Sequence, residues 1–304
     1  MIDSGSTSES GDYKYFLDFV EHIDSLITKS NTTPLEDFSG LSPEQMHHLL
    51  YNPLESKRSP INLRANLSRE TLDAVPFFRL LEEFVKIVGR EGFIKLTPRG
   101  ALPRKTLHEL YGFGFIKEEF IEKGYVKLLR ESDSVVLTTV PIVARLSGLV
   151  LKEFGRFTLT NLGRKFLEGG HREDDFQLIL KTFTDRFNWG YNDGYPTSLV
   201  GQFGWAYSIF LLLKFGDSDR AVGFYANKYI TAFPMLLDQF RGRTIGSARK
   251  ECISCYALRC FERFLKWFGF VQFKVEDNFV HRERNVVRRT EVLENVFALR
   301  QNKP

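Results

Sequence analysis

Gly92-Phe-Ile-Lys-Leu-Thr-Pro-Arg-Gly100 and Gly155-Arg-Phe-Thr-Leu-Thr-Asn-Leu-Gly163 align without gaps and share Gly, Leu, Thr and Gly at equivalent positions. In the first string Ile94 and Leu96 alternate with Lys95 and Thr97, the period-two pattern of a strand with one buried face. Each string follows an apolar stripe at three- and four-residue spacing, which predicts an amphipathic helix. Phe77, Leu80, Leu81, Phe84, Val85 and Val88 form the first stripe, and Ile142 to Phe154 forms the second helix. The pair reads as a repeated unit: a helix, a glycine, a short strand ending in Leu-Thr, and a turn glycine opening another helix. That last helix is Arg104 to Tyr111, after Pro103, in one copy and Leu162 to Leu167 in the other.

A third, more divergent unit starts at Ile253, with Ile253, Tyr256, Cys260, Phe261, Phe264, Leu265 and Phe268 on one helix face. Gly269 ends that helix, Phe270 to Val275 reads as strand, Glu276 to Asn278 as turn, and Phe279 to Val287 as an irregular return. Helices closed at one end by a small hairpin make the winged-helix arrangement, a relative of helix-turn-helix. The predicted fold class is therefore mainly α with small β-hairpins, built from tandem winged-helix-like units with a helical insert.

Outward from these units, Phe16, Phe19, Val20, Ile23, Leu26 and Ile27 mark a helix that Asn31 to Pro34 ends. Ser42, Pro43 and Gln45 form a capping box and helix start, and Pro53 and Pro60 break Asn52 to Leu67 into loop. Phe176, Ile179, Leu180, Phe183 and Phe187 form one later stripe, and Val222, Tyr225, Ala226, Tyr229 and Phe233 another. The resulting division is a flexible start at 1–12, a helical region at 13–75, two winged-helix-like units at 76–170, the insert at 171–240 and a last unit at 241–304.

The 304 residues suffice for a substantial core, and 43% hydrophobic with 26% charged composition excludes disordered, collagenous and disulfide-stapled classes. Residues 1–12 lack the basic start and apolar run of an export signal. The uncharged stretch Gly194 to Leu213 is interrupted by Pro196, Gln202 and glycines, which favours a buried helix over a membrane span. An odd set of three cysteines, all between Cys252 and Cys260, points to a reducing, cytoplasmic setting. Cys252 and Cys255 make a C-x2-C, but a structural zinc site needs four ligands and only His281 is near, so no metal and no cofactor is expected. His47 and His48 point about 100° apart on a helix and cannot chelate together. No G-x-S-x-G, phosphate-binding loop or H-E-x-x-H occurs, so the expectation is a non-catalytic protein. Asn188 to Tyr195, dense in aromatics and amides, suits a turn clamped by its own polar tips better than a base-stacking platform.

Leu41-Ser-Pro-Glu-Gln-Met-His-His-Leu-Leu-Tyr-Asn-Pro-Leu54 and Lys95-Leu-Thr-Pro-Arg-Gly-Ala-Leu-Pro-Arg-Lys105 resemble a family of uncharacterised bacterial proteins. Its members often carry an additional domain named after a plasmid open reading frame. Arg186-Phe-Asn-Trp-Gly-Tyr191 and Phe264-Leu-Lys-Trp-Phe-Gly269 extend the resemblance, which covers Leu35 to Phe297. The additional domain has no expected counterpart here, and the resemblance supports the architecture without implying a mechanism.

Charge supplies the functional hypothesis. Residues 1–90 carry 9 basic and 14 acidic groups, 91–240 carry 19 and 17, and 241–304 carry 14 and 7. Fixed cations at strands and helix starts suit phosphate contact. Lys95, Arg99, Arg104 and Lys105 form one cluster without an acid, with Arg104 and Lys105 in the first turn of a candidate groove-reading helix. Arg164 and Lys165 hold the corresponding place in the second unit, and Arg282, Arg284, Arg288 and Arg289 lie on the expected wing of the third. Two function classes follow. One is a nucleic-acid-binding or regulatory protein acting on DNA or RNA; the other is a protein-interaction scaffold or homodimerisation module. No membrane partner is expected.

Overall fold

The stripe from Phe77 to Val88 is wholly buried along one helix, and the two runs of chain described below are assembled around it. The computed structural model describes residues 8–242, 247–275 and 281–300. The chain opens with α1 (Ser8–Thr32), α2 (Pro43–Tyr51), β1 (Ile61–Leu63) and α3 (Arg69–Asp73). A first run follows: α4 (Pro76–Glu91), β2 (Phe93–Lys95), α5 (Arg104–Gly112), α6 (Glu119–Glu122), α7 (Val135–Leu146), β3 (Val150–Glu153), β4 (Arg156–Leu159) and α8 (Asn161–Glu168). Then α9 (Arg172–Lys181), extended by a π-helical turn at Thr182–Arg186, leads to a second run. It holds α10 (Trp205–Phe215), β5 (Arg220–Ala221), α11 (Val222–Ala232), α12 (Ala248–Tyr256) with a π-helical continuation at Ala257–Leu265, β6 (Val271–Lys274), β7 (Val286–Arg289) and α13 (Glu291–Val296). Finally β8 (Phe297–Leu299) pairs antiparallel with β1. The protein is mainly α with small antiparallel sheets.

The two Leu-Thr strings do not head separate units. They are paired strands of a single sheet of order β2-β4-β3, with Ile94 opposite Phe157 and Lys95 opposite Arg156. β4 follows β3 across a tight turn at Phe154 and Gly155, both at positive φ, instead of following a helix. The strings are alike because each sets one apolar residue, Ile94 or Phe157, onto the core side of the same sheet.

A different repeat is present. The first run goes helix, strand, helix, helix, strand, strand, helix, apart from the short α6; the second does the same, and its sheet has the matching order β5-β7-β6. The joint before the hairpin is reproduced bond for bond. Leu149 N–H donates to Ala144 O (3.0 Å) and Phe270 N–H to Leu265 O (2.8 Å), past glycines of positive φ, Gly148 and Gly269. Thr160 then donates through its hydroxyl to Gly148 O (2.7 Å), and Thr290 to Gly269 O (2.6 Å). Each threonine also accepts a backbone N–H of the helix it opens, Gly163 N–H for α8 and Leu293 N–H for α13, a side-chain N-cap. The stretch 171–240, expected as a separate insert, therefore divides: α10 and α11 belong to the second run because β5 pairs with β7.

At the N-terminus, residues 8–12 begin α1 instead of extending a loose start. The expected loop Asn52 to Leu67 contains β1. The capping box at Ser42 and Gln45 forms as expected, with bonds of 3.3 and 2.9 Å. The turn expected at Glu276 to Asn278, with Phe279 and Val280 of the return, lies outside the described residues. Among the described residues no helix is long and apolar enough to cross a membrane.

Two features join the runs. Phe183 packs edge-on against Phe77 (5.1 Å between centroids) and Phe268 (5.1 Å) and stacks on Phe264 (5.8 Å), linking α4 to the second run. The other is ionic: Arg259 donates through Nε and Nη2 to Asp193 (2.5 and 3.1 Å), and to the carbonyls of Thr197 (2.7 Å) and Val200 (3.1 Å). Both side chains are 0% exposed. Trp189 Nε1–H donates to Phe183 O (2.8 Å) and Tyr195 bonds Ser254 (3.0 Å), so the 188–195 segment is the clamp its composition suggested.

Stability measurements test these joints. A Cβ on Gly163 would stand 2.1 Å from Leu149 O, so Gly163→Ala is expected to cost about 3 kcal/mol in urea unfolding. Gly112, at the end of α5, has nothing within 4 Å of such a Cβ, and Gly112→Ala is expected to gain about 0.5 kcal/mol. Arg259→Met, which strands Asp193 in the core, is expected to lose about 3 to 5 kcal/mol.

Candidate nucleic-acid interface

In β2 the side chains of Phe93 and Lys95 point outward while Ile94 is buried, as the alternation requires. Arg156 on β4 is the register partner of Lys95, so two cations stand side by side on the outward face of the sheet. Like charges directly opposite one another repel; on its other side Arg156 is the register partner of Glu153 on β3, which makes no ion-pair contact with it. The Arg156 guanidinium instead lies 5.5 Å over the ring of Phe93. Because β2 is an edge strand, a cleft runs between it and α5, and Lys95 and Lys105 both line it. Glu91 and Glu109 line the same cleft, but Arg90 holds both, at 2.9 and 2.7 Å.

Further along, Lys152 on β3 donates to Gly100 O (2.7 Å), which brings it to the turn that carries Arg99. The β3–β4 turn presents Phe154, which is 91% exposed. Among the described residues, none of Lys95, Arg99, Lys105, Lys152 and Arg156 forms an ion pair. Lys152 and Arg156 were not singled out in the sequence. Their signal was the hairpin Val150 to Leu159, whose turn at Phe154-Gly155 lies between Lys152 and Arg156.

The other expected residues are not assembled with these. Arg104 opens α5 and directs Nε to His108 (3.2 Å). Arg164 and Lys165 lie exposed on α8, whose place in the fold is after the hairpin, and Arg164 turns back to Leu159 O and Asn161. Arg282 is ion-paired with Glu262, and Arg289 with Glu294 (2.6 Å) while also donating to Leu213 O (2.8 Å). Arg284 and Arg288 are exposed.

The helix that leads into each hairpin buries one broad face. In α7, Val136, Leu137, Val140, Val143 and Ala144 are buried, and in α12 with its continuation Cys252, Cys255, Tyr256, Phe261 and Phe264 are buried. On α7 only Arg145 is exposed, so it offers no row of polar side chains to a groove, whereas α12 leaves Arg249 and Lys250 exposed. The groove-reading role expected of Arg104 and Lys105 would fall to α5, a nine-residue helix with no acid in its first turn.

The three thiols are buried, and desolvation pushes those of Cys252 and Cys260 up to about 12 and that of Cys255 well above its ordinary range. Among the described residues no group of three or more His, Cys, Asp or Glu is placed to hold a metal ion. Native protein at pH 8 is expected to react with none of its thiols in a DTNB assay, and with all of them in urea, because only thiolates attack. A fast-reacting native thiol would contradict the burial. Compared with protein-family models, with curated proteins and with solved structures, the chain finds no match.

Proposed function

We propose that the two runs are tandem winged-helix units and that the first one binds the sugar-phosphate backbone of nucleic acid. Lys95, Lys105 and Arg156 are its central contacts, with Arg99 and Lys152 at one end. The observation that carries this reading is the register pair Lys95–Arg156, with Lys95 and Lys105 lining one cleft whose two carboxylates, Glu91 and Glu109, both bond to Arg90. Cations held close together, with no carboxylate in ion-pair contact among the described residues, suit polyanion binding by counter-ion release. Exposed Phe93 and Phe154 add surfaces on which a base or sugar can pack. With α7 buried, recognition runs through charge and shape, so little sequence preference is expected.

A second reading has its own observation. Along α1 the stripe Phe19, Val20, Ile23, Leu26 and Ile27 is exposed, Phe19 to 60%. That face suits a protein-interaction or dimerisation role.

Fluorescence polarisation with two duplexes of unrelated sequence, at two salt concentrations, separates the readings. Binding of similar strength to both is expected. In the triple variant Lys95→Gln, Lys105→Gln, Arg156→Gln it should weaken, and the log–log salt slope should flatten by about 0.9 for each lost contact. Arg288→Gln, outside the cluster, should bind as the wild type does. Absent binding at low salt, together with a concentration-dependent dimer in sedimentation, would replace the nucleic-acid reading with the scaffold.

A further inference from the structure

Where the 116–120 segment, which runs into α6, meets the π-helical continuation of α12, the two runs leave a cleft of about 330 Å³. This volume is in the range of small-molecule sites. The cleft shares no cation with the β2–α5 interface, so it stands or falls separately.

Its charged side chains are unevenly paired. Arg259 is committed to Asp193 beneath the cleft, and Arg282 to Glu262 on its wall. Lys117 and Glu119 pair away from one another's reach, with Glu122 (3.2 Å) and Lys123 respectively. Glu118 is held by neutral donors, the Ser134 hydroxyl and Val135 N–H (3.0 Å), at the start of α7. Arg263 and Lys266 remain without a carboxylate in ion-pair contact among the described residues. Arg263 reaches only the carbonyls of Tyr191 (3.2 Å) and Asn192 (3.4 Å), the second bond long and weak. Its guanidinium is held below the usual arginine range by burial, so it is a desolvated cation with spare donors facing a cavity. Lys266 stands 5.2 Å over the ring of Phe273.

Among the described residues of the lining, once these pairs are set aside, Arg263 and Lys266 face one carboxylate, Glu118. The excess is a single charge, which matches a monoanion and disfavours a phosphate dianion. A planar guanidinium with free donors pairs bidentately with a carboxylate. An apolar wall is supplied by Trp267, which is 5% exposed and stacked on Phe77 with an interplanar angle of 4°, and by Phe273.

We propose that this cleft binds a small planar organic carboxylate, its head group on Arg263 and Lys266 and its apolar body against Trp267 and Phe273. Titration calorimetry of the full chain with 2-naphthoate, and with neutral 2-naphthol as the comparison, tests it. One naphthoate per chain is expected, with 2-naphthol at least tenfold weaker. Arg263→Gln should weaken naphthoate at least tenfold, and Lys266→Gln at least threefold, with each variant's fold checked by circular dichroism. No naphthoate binding, equal affinity for naphthol, or unweakened binding by folded Arg263→Gln overturns the proposal. If Arg263→Gln does not fold, exposed Lys266→Gln decides alone: a threefold loss sustains the site and a smaller one overturns it.

Discussion

Arg259 and Asp193 face one another with both side chains wholly withdrawn from water, an arrangement that survives only because the guanidinium is saturated. Two of its donors meet the carboxylate, and others meet the carbonyls of Thr197 and Val200. A buried charge without such partners costs several kcal/mol, about enough to unfold a marginal domain. The pair therefore dictates the course of the chain around it. Gly201, at φ +87°, lets the backbone pass with 3.1 Å between a notional Cβ and that of Arg259, and the 188–204 segment wraps the guanidinium instead of running free. Because Arg259 sits in the π-helical continuation of α12, this one ion pair anchors the linking segment to the helix that carries the second hairpin.

Around that anchor the same small assembly is built twice. In each run a helix ends in a glycine at positive φ, the next residue bonds back to the helix, and a threonine on the far side of the hairpin closes the joint and caps the following helix. One side chain thereby satisfies the carbonyl of the glycine beyond one helix and an orphan N–H of the next at once, which is why so little sequence identity is needed to keep the geometry. The aromatic contacts of Phe183 with Phe77, Phe264 and Phe268 then set the two assemblies against each other within a single core.

The charged residues divide by location. Those at the seams are used internally: Arg172 with Glu82 and Asp73, Arg289 with Glu294, Arg282 with Glu262. Among the described residues, the cations around β2 and the first hairpin have no carboxylate in ion-pair contact, and neither do Arg263 and Lys266 in the cleft between the runs. Part of the basic C-terminal excess is thus structural, through Arg259, Arg282 and Arg289, while Arg263 and Lys266 of the same segment stay outside any ion pair among the described residues.

The amino-acid sequence by itself determined the helices and their buried faces. The stripe of α4, the capping box of α2 and the clamp composition of residues 188–195 are local, and their spacing encodes them directly. The reduced reach of such reasoning shows in the strands. Two strings with the same alternation were legible as strands, but period two does not say which strand pairs with which, so neighbours in one sheet looked like copies of one unit. The real repeat was hidden because it rests on backbone hydrogen bonds around Gly148 and Gly269, which many residues can support. Lys95 and Lys105 were legible as a basic cluster, whereas Arg156 joins them only through strand register, and Arg282 and Arg289 lose their freedom to acids brought near by folding. Whether a charge is satisfied is a property of three-dimensional neighbours, and that the tertiary structure alone decided.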